Sequence, residues 1–192
     1  IGAVNPGNYL VSSMSTVFNA LHAAGGPGEN ASYRNIELIR GGSVFMLIDL
    51  YSFLCSGDNT KNINLKNGDI IRIPGYVNRV KIEGEAKKTG VFELLNYETF
   101  GDLLKYCSGF SENAFSTKVL VTRNINGQKK LITLLENDFS SFEMKTGDLV
   151  NIDRVLSLYQ NKISVKGAVY RPGNYEFTAG MKLLDLILMA EG

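Results

Sequence analysis

Few residues of this 192-residue chain have a type and spacing suited to bond chemistry. His22 is the only histidine, and a catalytic imidazole needs an acid or nucleophile held beside it, which its surroundings do not assign. It reads as a helix-surface residue. Gly25-Gly26-Pro27-Gly28 has the glycine content of a phosphate-cradling loop, but no Gly-Lys-Ser/Thr follows, and the glycines close a helix candidate instead of opening one. Asp69 and Asp148 could act as paired carboxylates or metal ligands, yet each follows a glycine at the same turn of a repeated unit, so turn formation explains both. Cys55 and Cys107 lie in apolar contexts without CxxC spacing or a neighbouring histidine, and both are expected as plain buried thiols, neither bridged nor metal-bound. No catalytic, cofactor-binding or metal-ligating residue is assigned, and the ligand-contacting residues are left open.

Two further sets recur at fixed positions. Tyr9, Phe92 and Tyr175 occupy one place in the repeat, where hairpin or core packing outweighs stacking on a sugar. Arg40 and Arg123 share a strand end, where a structural pairing outweighs ligand contact, although one charge per copy could line a ring. Residues that repeat maintain the fold. A ligand or partner surface is expected among those that differ between copies.

The bulk composition narrows the function classes. Lys+Arg at 20 against Asp+Glu at 19 leaves a net charge of +1, so no field holds a polyanion and nucleic acid is excluded as a partner. With 44% hydrophobic residues the chain fills one ordinary core or two small ones, and 20 glycines against 4 prolines suit many tight turns. The longest apolar stretch, Val44 to Cys55, is broken by Asp49 and falls short of the roughly 20 residues that span a bilayer. No signal peptide heads the chain, which reads as a soluble excerpt from a longer protein.

Positioning elements emerge from an internal repeat. Gly2-Ala3-Val4-Asn5-Pro6-Gly7-Asn8-Tyr9, Gly84-Glu85-Ala86-Lys87-Lys88-Thr89-Gly90-Val91-Phe92 and Gly167-Ala168-Val169-Tyr170-Arg171-Pro172-Gly173-Asn174-Tyr175 align, with their Pro/Thr-Gly pairs 83 residues apart both times. Helix candidates follow at the same offset: Val17, Ala20, Leu21, Ala24; Phe100, Leu103, Leu104, Cys107; and Leu183, Leu186, Ile187, Ala190. Each set gives one apolar stripe for a core. Thr16 and Thr99 stand as N-caps, Thr99 with Asp102 three residues on, whereas Lys182 weakens the third cap. The helices are expected to stop at Gly25-Gly26, Ser108-Gly109 and Glu191-Gly192. Strands ending in Arg40 and Arg123 come next, then the turns Lys66-Asn67-Gly68-Asp69 and Lys145-Thr146-Gly147-Asp148, each feeding a strand. The first copy carries about four extra residues near Leu47 to Leu54, read as a short helix or extended apolar segment.

Val80-Lys81-Ile82-Glu83 and Ile163-Ser164-Val165-Lys166 alternate as half-buried strands, and Pro-Gly between strands is the chemistry of a type II turn. The unit is therefore strand, turn, strand, helix, strand, irregular link, turn, strand. Such a unit forms a four- or five-stranded sheet with one main helix, an α+β β-grasp arrangement. Three modules follow: 1–78, lacking the start of its first strand; 79–160; and 161–192, the hairpin and helix of a third. Units this small are expected to pack on one another.

Gly-x-Val-x-x-Pro-Gly-x-Tyr, Thr-x-x-x-Ala-Leu-x-x-Ala-Gly-Gly and Leu-x-x-Gly-Asp-x-Ile together resemble SLBB domains, the soluble ligand-binding β-grasp family. Tyr33 to Arg40, Asp49 to Leu54 and Asn67 to Pro74 look like the SLBB region of Wza-type outer-membrane polysaccharide exporters. The resemblance implies a non-enzymatic part of a homo-oligomeric lipoprotein with periplasmic SLBB rings. It further implies transport of capsular or extracellular polysaccharide, and an inner-membrane polysaccharide co-polymerase of the tyrosine autokinase type as partner. It also implies that an export domain, a lipid-bearing cysteine and a membrane helix lie outside this segment. Thr89, Ser108 and Glu191 depart from the pattern in turns and caps, which puts local geometry in question. A ligand- or glycan-binding module without a channel role is the alternative. An SLBB segment of a redox enzyme is a third reading, disfavoured by the lack of cysteine clusters and of a nucleotide loop.

Overall fold

The computed structural model describes residues 2–192. Two compact units result, one ending at Val155 and the other spanning Leu156–Gly192. The first holds two sheets. Helix α1 (Val17–Ala23) packs on β1 (Ile36–Arg40), β2 (Ser43–Ile48) and β3 (Ile70–Arg72), with α2 (Leu50–Ser56) after β2. The strand order is β2-β1-β3, antiparallel throughout. Next come β4 (Arg79–Gly84), β5 (Gly90–Glu93), α3 (Phe100–Tyr106), β6 (Lys118–Ile125), β7 (Gln128–Leu135) and β8 (Leu149–Ile152). They form a five-stranded sheet of order β5-β4-β8-β6-β7, in which β4 and β8 run parallel. The second unit contains the hairpin β9 (Lys162–Val165) and β10 (Gly173–Glu176), followed by α4 (Leu183–Met189).

The expected apolar stripes build the cores. Val17 and Leu21 of α1 are buried with Ile36, Leu38, Ile48 and Ile73, while Phe100, Leu103 and Cys107 are buried with Val80, Ile82, Val119, Val121, Val150 and Ile152. Equivalent residues share register, since Leu38 faces Ile71 as Val121 faces Val150. In α4, Leu186 and Ala190 are buried but Leu183 is 73% exposed, because only two strands stand in that unit. The link read as irregular is a strand in both copies, β2 and β7. In the first copy the segment Leu47 to Leu54 is strand end and helix at once, divided at Asp49, whose carboxylate accepts the Tyr51 N–H at 2.8 Å.

The Pro-Gly pairs are not type II turns. Gly7 and Gly173 do not take positive φ; the chain turns instead at Gly84 (φ 83°) and Gly167 (φ 110°). At Gly84 a Cβ would stand 2.1 Å from the Ile152 carbonyl oxygen, so only glycine fits. The chain then crosses to its own helix and caps it. Asn5, Lys88 and Arg171 donate their N–H groups to the carbonyls of Ala24, Cys107 and Ala190 at 2.9, 3.0 and 3.0 Å, satisfying helix-end acceptors. Gly90 and Gly173 then begin the returning strands. Positive φ at the third turn position, which a type II turn reserves for glycine, belongs to Gly68 and Gly147 in the Gly-Asp turns. Ser108 (φ 66°) and Glu191 (φ 53°) adopt the left-handed conformation in place of glycine, so the helix stops keep their geometry despite the departures in sequence.

Candidate functional site

The residues singled out in the sequence do not converge on one place. His22 is exposed in the last turn of α1. Cys107 is a free buried thiol with its pKa pushed up by burial, as expected for a core cysteine. Cys55 is also free but exposed; α2 lies outside the core and leaves it at the surface. Tyr9 and Tyr175 donate their hydroxyls back to the carbonyls of Asn5 and Arg171 at 2.6 and 2.5 Å, closing the loop that caps the helix. Phe92 has no hydroxyl and its loop has Thr89 in place of proline.

The repeated arginines and aspartates meet each other. Arg40 donates Nε and a terminal nitrogen to the Asp69 carboxylate at 2.8 and 2.7 Å, and Arg123 does the same to Asp148 at 2.8 and 2.7 Å. Each aspartate also accepts the N–H at the start of its own turn, from Lys66 at 2.8 Å and Lys145 at 2.9 Å. The bond to Arg40 holds Asp69 below the usual carboxylate range, outweighing its partial burial. This clasp fastens Arg40 at the end of β1, and Arg123 two residues before the end of β6, to the Gly-Asp turn of the same module. Both oxygens of each carboxylate are engaged internally, so the aspartates present little to a ligand.

The residues that do converge gather around Arg34 and Glu98, which the repeat does not contain. Arg34, 7% exposed, lies between the two sheets of the first unit. Its Nε reaches Asp49 at 2.8 Å, and its two terminal nitrogens reach the Glu98 carboxylate at 3.0 Å each. The guanidinium stacks over the rings of Tyr51 and Tyr106, 4.7 and 5.2 Å from their centroids. Burial alone would lower the Arg34 pKa, but the bonds to Glu98 and Asp49 outweigh it and hold the charge in place. Burial and the Glu98 contact raise Tyr106, whose hydroxyl donates to Glu98 at 2.5 Å. Glu93 accepts the Ser32 hydroxyl at 2.5 Å and the Tyr33 N–H at 2.6 Å.

β5 is an edge strand, and an open edge presents unpaired backbone groups. At Glu93 that edge is covered by the first module: the Glu93 N–H donates to the Tyr51 hydroxyl at 3.0 Å, and its C=O accepts from Arg34 at 3.3 Å. Arg79 completes the joint by donating to the carbonyls of Glu29 and Ala31 at 2.5 and 3.0 Å. Glu93 recurs as Glu176 in the third copy, but Arg34 and Glu98 have no counterpart. The position of Arg34 holds Thr117 in the second copy, and that of Glu98 holds Ser15 and Met181 in the others. The sequence signal that could have found them is this mismatch between copies.

Beside the joint lies a cleft of about 590 Å³, within the size range of ligand sites. Tyr33, Tyr51, Leu54, Phe92 and Tyr106 line it, with Lys88, Arg79 and Glu29 among its polar groups. Cys55 and Glu93 also line it, and the Glu93 carboxylate is held by Ser32 and Tyr33. Among the described residues no cluster of His, Cys, Asp and Glu is arranged to hold a metal ion, and no helix is long and apolar enough to cross a membrane.

Comparison with known families gives a match to the SLBB domain over residues 2–49, 79–131 and 162–192, more than half of the chain. The search of curated proteins finds no match. The three matched segments fall on the three copies of the hairpin-and-helix unit, and the chain belongs to the SLBB domain family, a non-catalytic module found in polysaccharide export proteins.

Proposed function

We propose that this chain is the periplasmic SLBB region of a Wza-type polysaccharide export protein, acting as architecture in a homo-oligomeric outer-membrane channel. Its cargo is a capsular or extracellular polysaccharide, and its partner is an inner-membrane co-polymerase. Three modules, divided near residues 78 and 160, belong to the same proposal. The observation that supports it best is the joint at Arg34: two SLBB modules are fastened by an ion cluster in which Arg34 and Glu98 are buried. A wall of stacked modules around a path needs stiff joints and heterologous contacts that close into a ring. The test is the size of the full-length parent in mild detergent. A closed oligomer is expected, and a parent that stays monomeric contradicts the reading.

The cleft beside the joint supports a second reading, a module that holds a small molecule or glycan without a channel role. Calorimetry of the chain with glycans separates the two. Saturable heat lost on Tyr33→Ala favours binding, and silence with polysaccharide fragments favours architecture.

A further inference from the structure

The edge of β5 that the first module covers at Glu93 is open two residues earlier. The Glu93 N–H and C=O point away from β4, to Tyr51 and Arg34. Antiparallel partners alternate between pairs that exchange both backbone hydrogen bonds and pairs that exchange none. Glu93 stands opposite Arg79 and Val91 opposite Lys81, so the Val91 N–H and C=O also point outward. Among the described residues no group outside the sheet bonds to them. Val91 is 58% exposed and lines the cleft, with Leu54 of α2, 65% exposed, as its aliphatic neighbour in the lining. Phe92 and Tyr106 line the cleft from the helix face of the same sheet. Of the charges in the lining, Glu29 offsets Arg79, and Glu93 is held by Ser32 and Tyr33. That leaves Lys88, two residues ahead of β5, which the ion pairs among the described residues do not include.

We propose that the cleft takes a short extended peptide that adds to the edge of β5. The strand runs antiparallel, because one peptide residue then exchanges both hydrogen bonds with Val91. Its neighbours on either side are apolar, since alternation puts their side chains on the sheet face of Phe92 and Tyr106. Antiparallel order aims the C-terminal side of the peptide at Gly90 and Lys88, where a carboxylate finds the free ammonium. The N-terminal side is short, because Tyr51 and Arg34 already occupy the edge at Glu93. An adjoining backbone donor and acceptor select a peptide over a sugar, whose hydroxyls find no partner on the aliphatic rim of Leu54 and Val91. This names the occupant of the cleft, rests on the cleft being a binding site as in the second reading, and does not depend on the export role.

Nuclear magnetic resonance titration of the whole chain with acetyl-Phe-Thr-Leu-Asp-amide tests the proposal, the threonine being placed to pair with Val91. A second peptide carries proline in place of that threonine and has no N–H to give the Val91 carbonyl. Cellotriose is the sugar probe. The first peptide is expected to shift the Val91 amide saturably, with a dissociation constant between about 10 μM and about 1 mM. The proline peptide should bind at least about tenfold more weakly, and so should Leu54→Asp, an exposed substitution whose fold circular dichroism verifies. Equal binding of the two peptides overturns the proposal, since apolar contact then suffices without strand pairing. Saturation by cellotriose without the peptide also overturns it but leaves the cleft a binding site, whereas silence with every probe overturns both.

Discussion

At the scale of single residues, the strongest repeated interaction is the clasp of Arg40 with Asp69 and of Arg123 with Asp148. Asp148 is almost fully buried, so Asp148→Ala leaves Arg123 facing a dry turn without its partner. The expected cost is about 3 kcal/mol, read from urea unfolding of the second sheet. The Asp69 pKa is lowered in the folded state by Arg40 first, so its contribution is present above the unfolded carboxylate range and is lost as pH falls through the folded value. Asp102, lowered by Lys105 and by the Thr99 N–H, acts in the same direction. Melting temperature measured against pH should therefore drop on the acid side, and Asp69→Asn should flatten part of that slope. Ser108 departs from glycine at a left-handed position, which costs a side-chain residue about 1 kcal/mol. Ser108→Gly should raise stability by that amount in thermal melts.

At the scale of elements, the helices were legible because three apolar stripes recur at one spacing and each ends in the same stop. The hairpins were legible as a period but not as a geometry. Pro6-Gly7 has the composition of a type II turn, yet the loop is longer than a turn. Its path is set by the carbonyls of the helix that it caps, a long-range partner that composition does not reveal. β2 and β7 escaped notice for different reasons. Val44 to Ile48 runs into the apolar α2 with only Asp49 between them, while Lys129 and Lys130 mask the alternation at the start of β7. The joint was the least legible element. It joins Arg34 to Glu98, 64 residues away, and neither residue has a counterpart in another copy. Arg34→Met removes one side of a buried ion cluster and strands Glu98 and Asp49, so it should cost about 3 kcal/mol. Calorimetry should resolve the melt of the first unit into two transitions where the wild type gives one.

At the scale of the whole molecule, copied modules serve as building material, and two residues without a counterpart in the other copies, Arg34 and Glu98, centre the joint between them. Within the first unit, the two sheets are one body because Arg34, Glu93, Glu98 and Tyr51 tie them across the edge of β5. Residual dipolar couplings over residues 2–155 test that claim most directly. The account predicts that amides of β1 and β3 and amides of β4, β6 and β8 fit a single alignment tensor, and that Arg34→Met splits it in two. Two different tensors in the wild-type chain would contradict the account, because the modules would then move independently despite the ion cluster between them.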